Sequence, residues 1–343
     1  MHKKGPEDNK TMISGMQKQG TSGPSVHYDV VMKRHELLKS IRRFFYDRGY
    51  IEVETANLMK TAPPDPHIDP LKVYIDSTGP FFLHTSPEMG MKKLLPSGHK
   101  RIFQVCKVYR VEEQEEIHNI EFTMLEWYRE GDYIDAMQET NELVSFVARD
   151  ILGVGGEDFQ RQFDVYKLEK LFQEKTGISP FHLGRDELFE AMKRKGFLGI
   201  DAGDDLSSLF FKLYVQEIEG TLTKDVPYFI TDWPTLISTM AKEKSGSPGT
   251  AERFELYMRG LEIANGYTEL LDQAVQRKRF LEDNETRRRS GKTTFDVDEA
   301  FLESLSILEG SYTGVSIGVD RLLMTLLGKD QIDVVIPHRF RKT

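Results

Sequence analysis

Runs of residues suited to β-strands fall into two groups along this chain, before and after a stretch, 132–223, whose pattern is mostly helical. Strands that cluster on both sides of a helical block imply one antiparallel sheet interrupted by an insertion. The early runs are Ile51 to Thr55, Phe81 to Thr85, Ile102 to Arg110 and Glu121 to Arg129. The late ones are Tyr228 to Thr231, Arg253 to Met258, Leu261 to Ala264 and Gly314 to Ile317. The expectation is therefore an α+β fold, an antiparallel sheet of six or seven strands flanked by helices. A first helix follows from Leu37, Leu38, Ile41, Phe44 and Phe45 at helical spacing ahead of Gly49. Others are expected around Met89 to Leu95 and from about Asp320. Residues 1–27 are polar and aperiodic and read as a disordered leader ahead of one domain over 28–343.

A formal net charge of −9 argues against a protein that grips a phosphate backbone over a wide surface. The single cysteine, Cys106, can form neither an internal disulfide nor a zinc cluster, which agrees with a reducing compartment. No run approaches the ~18 apolar residues of a membrane span, and a cytoplasmic protein without a membrane partner is expected. Walker, Rossmann, paired CxxC and HExxH patterns are all absent.

Three clusters carry chemistry. In the first, Arg110-Val111-Glu112-Glu113 is followed by His118-Asn119 and by a strand in which Phe122, Glu126 and Tyr128 share a face. Arg110 ends the preceding strand, where its guanidinium could meet a phosphate bidentately. The plain alternative is a hairpin with a solvated charged loop. In the second, Glu255, Glu262 and Glu269 recur every seven residues. Glu255 and Glu262 would face opposite ways on one continuous strand, but a turn at Arg259-Gly260 could bring both to one site. Converging carboxylates suit a hard cation such as Mg²⁺ bridging triphosphate oxygens. Otherwise the three glutamates merely solvate strand edges. The third is Gly314-Val315-Ser316-Ile317-Gly318-Val319-Asp320-Arg321, a glycine-spaced strand that feeds a helix with Arg321 at its start, where a phosphate could sit.

Taken in order, Arg-x-Glu, a polar loop, His-x-x-x-Phe and a late Gly-x-Asp-Arg resemble motifs 2 and 3 of class II aminoacyl-tRNA synthetases. Thr85-Ser86-Pro87-Glu88, Glu121 to Tyr128, and Ala264-Asn265-Gly266-Tyr267-Thr268-Glu269-Leu270 narrow the resemblance to the lysyl branch. Within it the chain most resembles the short GenX/PoxA-type paralogues that attach lysine or (R)-β-lysine to elongation factor P. The resemblance covers about Tyr28 to about Lys329. It implies ATP and Mg²⁺ as cofactors and activation of the amino acid as an acyl-adenylate. Arg110 and Glu112 would bind the α-phosphate and the adenine amino group. His118 and Asn119 would meet the polyphosphate and adenine region, Phe122 would stack on the base, and Ile263 would belong to the same nucleotide site. Glu255 and Glu262 would hold Mg²⁺, Arg321 would clamp the γ-phosphate, and Gly318 would leave room for ATP. For the amino acid, Ser86, Pro87 and Glu88 would meet the amino end nearest the reacting carboxyl, with Asn265 nearby and Ser316 as the floor. Tyr128 and Glu269 would take the ε-ammonium.

Ala56, Val111 and Ile120 stand where the family pattern favours Pro, Asn and Pro. Ser316 stands where lysyl-tRNA synthetases tend to have glycine and the elongation-factor ligases alanine, so the residue bears on the choice of lysine isomer. Only the short leader precedes the resembling core, where a lysyl-tRNA synthetase carries an anticodon-reading OB-fold of about a hundred residues. The expected acceptor is therefore elongation factor P rather than tRNA, and the expected assembly is a homodimer. The alternatives are a free-standing lysyl-tRNA ligase and a paralogue that binds a partner without catalysis.

Overall fold

Leu37, Ile41, Phe44 and Phe45 lie on one face of helix α1 (Tyr28–Tyr46) and are wholly buried, and the chain leaves the helix through Gly49 at φ 73°. That left-handed backbone costs glycine little. The computed structural model describes residues 28–111, 116–220, 222 and 226–336. The expected leader and Glu112 lie outside the described residues.

After α1 come β1 (Ile51–Glu52), β2 (Leu58–Met59), β3 (Lys72–Tyr74), β4 (Pro80–Leu83), α2 (Glu88–Lys92), β5 (Arg101–Tyr109), β6 (Glu121–Glu130) and α3 (Tyr133–Leu152). The middle of the chain supplies β7 (Asp164–Lys167), α4 (Leu168–Thr176), α5 (Arg185–Arg194), α6 (Leu206–Tyr214) and β8 (Tyr228–Thr231). It closes with β9 (Arg253–Met258), β10 (Leu261–Thr268), α7 (Gln273–Arg289), α8 (Glu299–Ile307), β11 (Tyr312–Gly318) and α9 (Val319–Leu326).

The main sheet has eight strands in the order β1-β5-β6-β11-β10-β9-β8-β7. Its six inner strands are antiparallel, as expected, but both edge pairs, β1 with β5 and β7 with β8, are parallel. Each parallel pair is joined by a long connection, through the strands β2, β3 and β4 and helix α2 for β1 and β5 and through α4, α5 and α6 for β7 and β8, which returns the chain to the end of the sheet where it started. The strand expected at Phe81 to Thr85 joins a separate three-stranded sheet, β2-β4-β3.

Within the helical stretch expected over 132–223, α3 packs into the main core through Leu143, Val144 and Val147. α4, α5 and α6 instead build a second core, in which Phe172, Leu188 and Phe210 meet Tyr228, Ile230 and Trp233. Neither α7 nor α8 was expected. The Asp of the Gly-x-Asp-Arg motif is structural: buried Asp320 takes Arg34 Nη1 at 2.5 Å and the Thr123 amide at 2.7 Å. It thereby ties α9 to α1 and β6. Among the described residues no helix is long and apolar enough to cross a membrane.

Candidate active site

Strand parity builds the site. Phe122, Met124, Glu126 and Tyr128 on β6, Gly314, Ser316 and Gly318 on β11, and Arg253 and Glu255 on β9 line one cavity of about 420 Å³. Arg259 and Gly260 both have positive φ, 52° and 77°, as the commonest two-residue hairpin turn requires. The resulting β9–β10 register, shifted between Glu262 and Ala264, sets Asn265 opposite Glu255. Glu255 and Glu262 thus both reach the cavity, as a turn at Arg259-Gly260 was expected to allow.

Along β11, Gly318 pairs with Met124 at one end and Gly314 with Tyr128 at the other. Four residues of strand separate these points by about 13 Å, and the two ends differ in chemistry. At the Gly318 end, Arg321 in the first turn of α9 reaches His118 Nε2 at 2.6 Å and the Glu262 carbonyl at 3.2 Å. Arg110 donates to the Thr85 carbonyl at 3.1 Å and lies over the Phe122 ring at 5.3 Å. Asn119 donates to the Glu121 carbonyl at 2.6 Å, while its buried Oδ1 has no hydrogen-bond partner among the described residues. A Cβ at Gly318 would meet only Arg321, at 3.8 Å, so packing within the protein does not demand glycine there. Glu255 accepts from Arg253 and from the Tyr257 hydroxyl, both at 2.6 Å. Burial, and then the neighbouring Glu262 charge, pushes the Glu255 carboxyl up to about 8.

At the Gly314 end carboxylates gather. Glu126 accepts from Ser86 Oγ at 2.6 Å and from the Tyr128 hydroxyl at 2.5 Å. Ser86 Oγ also receives the Glu88 amide at 3.0 Å. Glu88 takes the Tyr267 hydroxyl and, at 2.5 Å, the Lys92 ammonium. Lys92 is also ion-paired with Glu269 Oε2, and Glu269 Oε1 has no hydrogen-bond partner among the described residues. Burial raises Glu126 to about 7 and Glu269 to about 8. Buried carboxyls without enough counter-charge favour an incoming ammonium, which lets them ionise.

Of the residues expected in the site, Ser86, Glu88, Arg110, His118, Asn119, Phe122, Tyr128, Glu255, Glu262, Ile263, Asn265, Ser316, Gly318 and Arg321 line this cavity. Pro87 and Glu269 do not. Pro87 is the residue before α2, and Glu269 sits behind Tyr128 and Gly314. Sequence reasoning missed Lys92, Arg253 and Asp283. Lys92 carried one readable signal, its position four residues after Glu88 on a helix, and Arg253 another, its position two residues before Glu255 on one strand face. Arg253 Nε donates to Asn265 Oδ1 at 3.1 Å, leaving the Asn265 amide to offer a donor. Asp283, on the unexpected α7, also faces the cavity and accepts from Thr239 at 2.8 Å. Burial raises it to about 7.

One end therefore offers guanidinium groups, an imidazole and a stacking ring, and the other a carboxylate nest behind a serine and two tyrosines. The model of the tRNA synthetases class II (D, K and N) matches residues 25–340. The chain belongs to this family. Its similarity to individual members runs nearly end to end. It is 37% identical over 320 residues to an elongation factor P–(R)-β-lysine ligase of Avibacterium paragallinarum, covering 91% of this chain and 96% of that one. Proteins of the same name from Haemophilus influenzae strain PittGG and Vibrio atlanticus are 35% and 33% identical, over 91% and 93% of this chain and 95% and 98% of theirs. The family expected from the three clusters is thus borne out. As a class II synthetase family member the chain is a ligase, and its large central sheet flanked by helices is the fold expected of it.

Proposed function

We propose that this ligase activates lysine or (R)-β-lysine with ATP as an aminoacyl-adenylate and transfers the aminoacyl group to a lysine side chain of elongation factor P. The observation that carries the reading is the polarity of the cavity: cationic groups at the Gly318 end of β11, and half-buried Glu88 and buried Glu126, with buried Glu269 behind the wall, at the Gly314 end. An amino acid placed with its carboxylate toward Arg110 and its amines toward the carboxylates matches that polarity. The names of the matched relatives favour elongation factor P over tRNA as the acceptor.

In this reading the amino-acid carboxylate attacks the α-phosphorus in line, forming the C–O–P bond as the Pα–O bond to pyrophosphate breaks. The acceptor amine then attacks the carbonyl carbon and AMP leaves. Arg110 holds the α-phosphate, Arg321 with His118 the outer phosphates, Phe122 stacks on the base, and Asn119 Oδ1, without a hydrogen-bond partner among the described residues, accepts from adenine. Catalysis is by positioning and charge neutralisation. Among the described residues no group of three or more His, Cys, Asp or Glu could hold a metal. Glu255 and Glu262 fit an ion that takes its remaining ligands from phosphate and water, and Mg²⁺ there would offset triphosphate charge. A cytoplasmic homodimer completes the reading. Exposed Tyr28, Val31, Met32 and Ile51 on α1 and β1 suit a second copy.

The test is Mg²⁺-dependent ATP–pyrophosphate exchange with each lysine isomer, followed by mass spectrometry of elongation factor P and of tRNA offered separately as acceptors. Exchange with a lysine isomer and mass added to the factor are expected. Absence of exchange with every isomer, using folded protein, would sink the reading. A second expectation concerns Ser316, whose hydroxyl faces the cavity and donates to the Asn265 carbonyl at 3.4 Å. With that partner available, its bulk rather than an unmet hydroxyl shapes the floor, and β-lysine is expected to be modestly favoured. Ser316→Gly should move the ratio of exchange rates toward α-lysine and Ser316→Ala should keep or strengthen the β preference. An unchanged ratio in both, with activity retained, would show that the side chain does not select.

A further inference from the structure

Lys92 is a cation built into a pocket read as a site for cations. It is 1% exposed, on α2, and does not line the cavity. Lysine is almost never buried so fully without partners. Here the ammonium bridges Glu88 and Glu269, and the rings of Tyr267, Tyr128 and Phe301 stand around it at 5.3, 5.9 and 6.0 Å. Met240 Sδ closes the shell at 3.9 Å. The remaining charged group of the nest is Glu126, held by Ser86 and Tyr128.

We propose that Lys92 is a positioning residue that sets the fixed charge of the amine pocket at two negatives and so tunes it to amino acids carrying two ammonium groups. The inference rests on the reading of this pocket as the amino-acid site. Glu88, Glu126 and Glu269 carry three negative charges when ionised, and Lys92 removes one. A diamino acid brings two positive charges to this end while its carboxylate stays with the phosphates, so the count closes. A monoamino acid leaves one buried charge uncompensated, which a low-dielectric site penalises. Without Lys92 the carboxylates would face each other with no cation, and like charges held together keep a proton instead of ionising. Lys92 also divides the labour of Glu269: its ammonium is ion-paired with Oε2, and Oε1 stays without a hydrogen-bond partner among the described residues.

The test is Lys92→Met, which keeps the chain length and removes the charge, assayed by pyrophosphate exchange with lysine and norleucine between about pH 6 and pH 9. At about pH 7 the KM for lysine should rise about tenfold or more, with the KM for ATP unchanged. The rise should shrink toward about pH 9, where the carboxyls ionise without help. Lysine over norleucine selectivity should fall with it. Lys92→Met/Glu126→Gln, which restores two negatives, should recover part of the lost lysine affinity and serves if the single variant does not fold. A KM for lysine that is unchanged, or raised equally at every pH with no recovery in the double variant, overturns this inference and leaves the functional reading standing. A folded wild-type protein that activates no lysine isomer overturns both.

Discussion

Glu269→Gln is expected to lower kcat/KM for lysine by an amount corresponding to about 2–5 kcal/mol, the cost of removing one partner of a desolvated charge pair. Glu269 is buried, and one oxygen carries Lys92 while the other has no hydrogen-bond partner among the described residues. Glutamine keeps the shape and loses the charge. Lys92 keeps Glu88, so the fold should survive. Exchange kinetics with lysine and norleucine measure the effect, and unchanged selectivity between them would count against the role. The same substitution should alter the pH dependence. Burial raises Glu269 from 4.5 to about 8, so the ligand-free fold binds this proton more tightly than the unfolded chain does. Its contribution to stability is therefore greatest below the unfolded value and is lost as pH rises through the folded one. Lysine binding needs the ionised form, so the KM for lysine should fall as pH rises from about 6 to about 8.5. In Glu269→Gln both trends should flatten, measured by melting temperature without ligand and by KM.

The second large effect is expected at Gly314. Its partner across the sheet is Tyr128, and a Cβ on Gly314 would lie 2.6 Å from Glu269 Oε1 and 2.8 Å from Tyr128 Cδ1. Carbon atoms pack at about 3.5–4.0 Å, so alanine must push the phenol ring and the carboxylate aside. Overpacking a tight interior costs about 1–3 kcal/mol. Here the displaced groups are the ones proposed to take the distal ammonium. Gly314→Ala should thus lower kcat/KM for lysine by about one to two powers of ten or more, since about 1.4 kcal/mol is tenfold. Binding of an ATP analogue, read by calorimetry, should stay near the wild-type level. Equal loss of nucleotide binding would instead mean a general collapse of the site.

Much of the site is legible in the amino-acid sequence because strand parity is a local property. Phe122, Glu126 and Tyr128 alternate on β6, and their shared face follows from the pleat alone. The Arg259-Gly260 turn is likewise readable, since a glycine between two strand-like runs supplies the positive φ that a tight hairpin turn needs. Helix α7 is not readable. Its buried residues are Gln276, Phe280, Asn284 and Arg287, so it shows no apolar stripe. Arg287 is buried because it donates to the carbonyls of Asp65, Ile68 and Thr293 and pairs with Asp69. Those partners, apart from Thr293, lie more than two hundred residues away.

By itself, then, the sequence determined the inner antiparallel strands, the face that carries the cavity and the family, because these depend on side-chain period and on the order of short motifs. Tertiary structure alone decided the parallel edges of the sheet, which depend on where long connections return. It also decided that Glu269 lies behind the cavity wall and shares Lys92 with Glu88. Those placements rest on packing between α2, β6, β10 and β11, segments far apart in the chain, and no local pattern records which charges will be buried side by side.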